Sequence, residues 1–146
     1  MRFLIAVALG AVLLTAPVGG QAVSGGDDAV IDSLLTQKVL SWSNAAWLVG
    51  RASGTLPDGT NPDQATPRGR SGTAPIDLQS YSELLVSGFR IPTGLLYGLF
   101  PGPRYALREL VYRKIVPPAL APDSALSGEE AMRYLQATQD WKEAHP

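Results

Sequence analysis

The chain has 146 residues, a formal charge of −1, one histidine and no cysteine. Near-neutral charge argues against general nucleic-acid binding, which draws on a strongly basic field. A cysteine-free chain has no disulfide staple and no thiolate metal site, so packing alone must hold the fold.

Met1-Arg2 is followed by an apolar run from Phe3 to Leu14 and by Gly20-Gln21-Ala22. A positive tip, a short apolar core and a small-x-small end are the parts of a secretory signal peptide, here residues 1–22. The run is shorter than the about 20 apolar residues of a stable span, so no membrane span is expected once the signal is removed. Residues 23–146 then form a single helical domain with a modest core. An exported chain of this kind is expected in the periplasm or at the cell surface.

Asp28 is a candidate cap for a first helix carrying Val30, Ile31, Leu34 and Leu35 at helical spacing. Ser41 caps a second, with Ala45, Ala46, Leu48 and Val49 as its body and Gly50 or Gly54 as its end. Trp42 and Trp47 are expected to pack in the core. Residues 53–75 hold four prolines and four glycines with scarcely an apolar residue, which predicts a long, exposed, flexible loop. Within it, Asp58, Asn61 and Asp63 come near calcium-loop spacing, but the required glycine and terminal glutamate are misplaced, so no metal is expected. Arg68 and Arg70 are expected in solvent.

Asp77 caps a third helix with Leu78, Tyr81, Leu85 and Phe89 on one face, and Gly88 is the expected terminator. Ile91-Pro92 reads as extended, and Thr93 as the cap of an apolar segment, Gly94 to Phe100. That segment is hydrophobic nearly all round, so it is expected to be buried or to lie against something apolar. Pro103 suits the first turn of the next helix, Leu107, Leu110 and Val111 form its core edge, and Pro117-Pro118 stop it. Ser127 and Glu130 form a capping box for the last helix, which carries Ala131, Met132, Tyr134, Leu135 and Trp141. The expected fold is all-α, a small bundle of five or six short helices.

Three helix starts share a pattern: an aliphatic residue, a cap, then the helix, at Leu40-Ser41, Ile76-Asp77 and Leu126-Ser127. Their spacing is too unequal for a regular repeat. Over Phe100–Leu135 the chain resembles the S-layer homology (SLH) domain family. Phe100-Pro101 and Tyr105-Ala106 look like that family's opening, Leu110 matches the helix core, and Lys114-Ile115-Val116 stands at its Gly-Ile-Ile-like turn. Pro122-Asp123 lies in the loop, and Leu126-Ser127-Gly128-Glu129-Glu130 stands at its Ile-Thr-Arg-Ala-Glu helix start. The resemblance implies helix–loop–helix units and association with cell-wall polysaccharide. The family's glycan-contacting arginine is replaced by Gly128, and by Trp42 and Leu78 at the other two starts.

No phosphate loop or dinucleotide fingerprint occurs, no cofactor is implied, and His145 lies in a polar tail. The chemistry-bearing stretch is the helix after Pro103. Arg104 and Arg108 are four apart, Tyr112 continues the row, and Tyr105 and Arg113 stand beside it. Guanidinium groups with tyrosines suit an anionic glycan or another carboxylate- or phosphate-bearing partner. The same residues also suit plain roles, as core-edge tyrosines, solubilising cations or bridges to Glu83 or Glu130. The expectation is a non-enzymatic envelope binding or structural module, binding anionic cell-wall polysaccharide or another envelope protein. Two alternatives stand beside it: a small glycan hydrolase pairing Glu83 with Glu109, and a subunit of an envelope complex docking through Gly94–Phe100.

Overall fold

A computed structural model of the protein describes residues 25–118 and 121–146; the expected signal segment lies outside the described residues. The helices are α1 (Gly25–Leu35), α2 (Trp42–Ala52), α3 (Leu78–Gly88), α4 (Leu95–Leu99), α5 (Pro103–Tyr112) and α6 (Gly128–Ala144). One turn of 3-10 helix, Pro62–Ala65, lies between α2 and α3. No strand occurs among the described residues, only isolated bridges at Ser41–Pro75 and Asp77–Ala125. The chain is an all-α bundle of short helices.

Three of the helices start where their caps place them. The Ser41 hydroxyl accepts from the Asn44 amide at 3.4 Å, the Asp77 carboxylate from Ser80 at 2.7 Å, and the Ser127 hydroxyl from Glu130 at 3.3 Å. The Glu130 carboxylate accepts in return from the Ser127 amide, which completes the capping box and holds Glu130 below the usual carboxylate range.

The residues just before these caps form the centre of the molecule. The Leu40 N–H donates to the Leu126 carbonyl at 2.7 Å, Ile76 to Leu40 at 3.0 Å, and Leu126 to Ile76 at 3.1 Å. Each gives one bond and receives one, so the three close a ring with no backbone group left over. Their side chains are all buried. The helices follow the same cyclic order. α2, α3 and α6 touch one another, and each is backed by the element that leads into the next: α2 by the 3-10 turn, α3 by α5, α6 by α1. Unequal linkers thus hide a threefold arrangement that sequence spacing alone does not reveal.

Helix ends are also shared. In α2, α3 and α5 the last turn closes with paired bonds onto the carbonyls of Gly50 and Arg51, Val86 and Ser87, and Leu110 and Val111. The residue that swings left-handed is Gly54 (φ 71°), Arg90 (φ 50°) or Lys114 (φ 60°). Two expectations change accordingly. Gly88 is not the terminator of α3; its missing side chain lets α3 approach Val49 of α2. Pro117-Pro118 do not stop α5, because Lys114 has already turned the chain.

At the other end of the chain, α1 begins before Asp28, so Asp28 is not its cap. Asp27 and Asp28 lie in the first turn, and Arg51 of α2 holds the Asp27 carboxylate. Arg51 also reaches Asp58 at 2.5 Å. The long 53–75 segment is pinned at several further points. The indole N–H of buried Trp47 donates to the Thr60 carbonyl at 2.6 Å, and the amides of Trp42 and Ser43 donate to Ala74 and Gly72. Leu56, Ala65 and Ala74 pack against the core, and the Arg70 guanidinium lies 4.6 Å from the Trp42 ring centroid.

The first helical residue after each cap is buried in all three units: Trp42, Leu78 and Gly128. Gly128 has the tightest place. A Cβ there would overlap the Leu34 carbonyl of α1, and its N–H donates to the Gln37 carbonyl at 3.0 Å. Position 128 takes a glycine because α1 lies across the space a side chain needs.

Candidate functional site

α5 buries Ala106, Leu107 and Leu110, and its packing partner is α3. The period of 3.6 then places Arg104, Arg108 and Tyr112 together on the other side, all three exposed and Tyr112 at 83 %. The row is continuous with two adjoining clefts of about 420 and 440 Å³. They share Leu107, Arg108 and Pro122. The first runs under Tyr112 and Val111 toward Pro117 and Pro118, and the second runs under Arg104 toward Gln79 and Asp123.

The far wall is the connector after α5, and it is held to the start of α3. The amides of Leu78 and Gln79 donate to the Ser124 and Pro122 carbonyls at 3.2 and 3.3 Å. The Gln79 side-chain amide donates to Asp123 at 2.6 Å. A cleft with an apolar floor, proline walls and arginines at its rim offers sugar-ring faces a dry contact and anionic groups a planar donor.

The other expected site residues go elsewhere. Tyr105 is half-buried and stacks on Phe100, with ring centroids 6.4 Å apart. Arg113 is not part of the open face. It is paired with Glu109 on the same helix, donates to the Pro92 carbonyl, and lies 5.3 Å from the Trp141 ring centroid. Its Nε is buried without a hydrogen-bond partner, a desolvation cost set against the contacts of the other two nitrogens. Arg113 sits a quarter-turn round the helix from Tyr112, and that rotation sends it toward α6 instead of the rim.

The carboxylates considered for acid–base work are also accounted for. Glu109 accepts from the Gly94 amide at 2.9 Å with one oxygen and from Arg113 with the other. Glu83 is half-buried on α3, where its charge adds to the burial that pushes the Tyr97 hydroxyl pKa up. Asp58 is taken by Arg51, and no cluster of three metal-ligating side chains occurs among the described residues. The His145 ring stacks on Trp141 at the end of α6.

Sequence reasoning found the arginine row but missed the cleft beside it. Leu78, Pro117, Pro118 and Pro122 line it, and these read as a core leucine and connector prolines until the chain is folded. The available signal was the coincidence of a proline-rich connector with the basic helix directly before it. No family model matches this chain, and neither any curated protein nor any solved structure is significantly similar to it.

Proposed function

We propose that the protein is an exported cell-envelope binding module that holds an anionic cell-wall glycan in the cleft beside α5. The carrying observation is the row Arg104, Arg108 and Tyr112 at the rim of a cleft floored by Leu107 and Val111. The leader-like residues 1–22 support export, and the SLH resemblance over Phe100–Leu135 supports a wall glycan as the ligand. Gly128, Trp42 and Leu78 stand where that family keeps its glycan arginine, and all three are buried. In this reading Arg104 and Arg108 supply the cationic contacts at the rim of the cleft. Each guanidinium can pair two donors with a carboxylate or phosphate, and the tyrosine ring covers the apolar face of a sugar.

Retention on purified peptidoglycan and cell-wall polysaccharide tests this. The native chain is expected to be retained and released by salt, as exposed charge pairs are. Arg104→Ala/Arg108→Ala is expected to weaken retention at least about tenfold, since two charge-assisted contacts are lost. Absence of retention, or retention equal in the double variant, would overturn the reading.

A further inference from the structure

We infer that α4 is an apolar wedge that seats the protein on an anionic lipid surface. The sequence predicts a segment that is buried or lies against something apolar, and the structure leaves it on the surface. Leu95 is 82 % exposed, Leu96 56 %, Leu99 62 % and Phe100 62 %, all within one short helix and its C-terminal cap. Four large apolar side chains side by side on the surface need a partner more than scattered ones do.

Part of the backbone of this segment is already provided for. The Gly98 and Phe100 amides donate to Gly94 and Leu96, and the Gly94 amide donates to Glu109. The amides of Leu95, Leu96 and Tyr97 lie in the first turn of this short helix, where the N-cap Gly94 offers no side-chain acceptor. The segment therefore fits the hydrated interfacial layer of a leaflet, not its hydrocarbon interior. The wedge is also braced. Its leading end is tied through Pro92 to Arg113, and Phe100 leans on Tyr105 of α5.

Charge decides the kind of surface. The whole chain carries −1, yet residues 89–118 hold five cations and a single acid. That acid, Glu109, is neutralised by Arg113, while Arg90, Arg104, Arg108 and Lys114 remain exposed. Exposed leucines within a cation-rich segment match the interfacial region of a leaflet with anionic headgroups, where apolar burial and charge attraction add. A second copy of the chain fits less well, because a twofold contact through α4 would bring both sets of cations together. The wedge counts Arg104 and Arg108 among its cations, as the glycan cleft does, but its apolar side chains line neither cleft. Its variants leave Arg104, Arg108 and Tyr112 in place.

The absence of cysteine makes the test direct. In the full chain, Leu99→Cys carries an environment-sensitive fluorophore, and exposed Gln136→Cys on α6 carries it as control. Phosphatidylglycerol vesicles are expected to shift the emission at position 99 to the blue and leave position 136 unchanged. Phosphatidylcholine vesicles are expected to do neither. Because the label reports position 99 itself, attachment through the apolar residues 3–14 does not produce the signal. Leu95→Asp/Leu96→Asp in the labelled chain is expected to abolish the shift without altering thermal unfolding or glycan retention. The inference is overturned by an unchanged position 99, by equal shifts at both positions, or by an equal response to phosphatidylcholine. A lipid-free shift that grows with protein concentration also overturns it, in favour of self-association.

Discussion

Two apolar regions of this chain meet opposite fates. At the ring of helix starts, Leu40, Ile76 and Leu126 are fully or nearly fully buried, and their backbone groups bond only to one another. On the α4–α5 edge, Leu95, Leu96 and Leu99 are no less hydrophobic, yet each is more than half exposed. What separates them is partner supply. Each ring residue stands before a capped helix whose neighbours come from distant parts of the chain. Among the described residues α4 packs chiefly on α5, and α5 has already spent its apolar face on α3. Hydrophobicity creates the demand for burial, and topology decides whether anything is there to meet it.

If the ring is the close-packed part, Gly128→Ala should show the largest effect. A single methyl would overlap the Leu34 backbone, so α1 or α6 must shift. A loss of roughly 3 kcal/mol is expected in urea denaturation, at the upper end for overpacking. A loss below about 0.5 kcal/mol, the size of an ordinary surface change, would mean that α1 is not held against α6.

Arg113→Met probes the brace between the two regions. It removes the Glu109 pair, the tie to Pro92 and the contact with Trp141. The pair is mostly shielded from water, with 15 % and 17 % of the two side chains exposed, so a loss of about 2 kcal/mol is expected. Faster amide exchange across 92–100 should accompany it. Stability equal to the native chain would make Arg113 a surface cation after all.

The smallest effect has the opposite sign. Lys114 holds a left-handed backbone at φ 60°, which costs a non-glycine residue about 1 kcal/mol or more. Lys114→Gly should therefore raise stability by about 0.5 kcal/mol, part of the gain being lost to the freer unfolded chain. Arg90 stands in the equivalent place on α3, so a non-glycine residue at this turn is a repeated choice.

Three caps were legible from sequence because capping is local: Ser41, Asp77 and Ser127 each bond within three residues of themselves. Asp28, by contrast, lies inside α1, and Gly94, not Thr93, precedes α4. Helical periodicity likewise placed Leu107 and Leu110 inside and the row Arg104, Arg108 and Tyr112 outside. Helix ends were read less well. Gly88 is the expected stop for α3 and Pro117-Pro118 for α5, yet an arginine and a lysine take the left-handed position at their ends. Arg113 was grouped with its neighbours in sequence, although a rotation of one residue commits it to Glu109, Pro92 and Trp141.

By itself, then, the sequence determined an all-helical chain, where its capped helices begin, and which side of α5 carries charge. Each of these depends on residues within a turn or two of one another. Only the tertiary structure decided that three unequally spaced helix starts close into one ring. It also decided that Gly128 is glycine to make room for Leu34, that a cleft opens beside Arg108, and that α4 is left outside. Those outcomes depend on which distant segment arrives to fill a given space, and local periodicity carries no record of that.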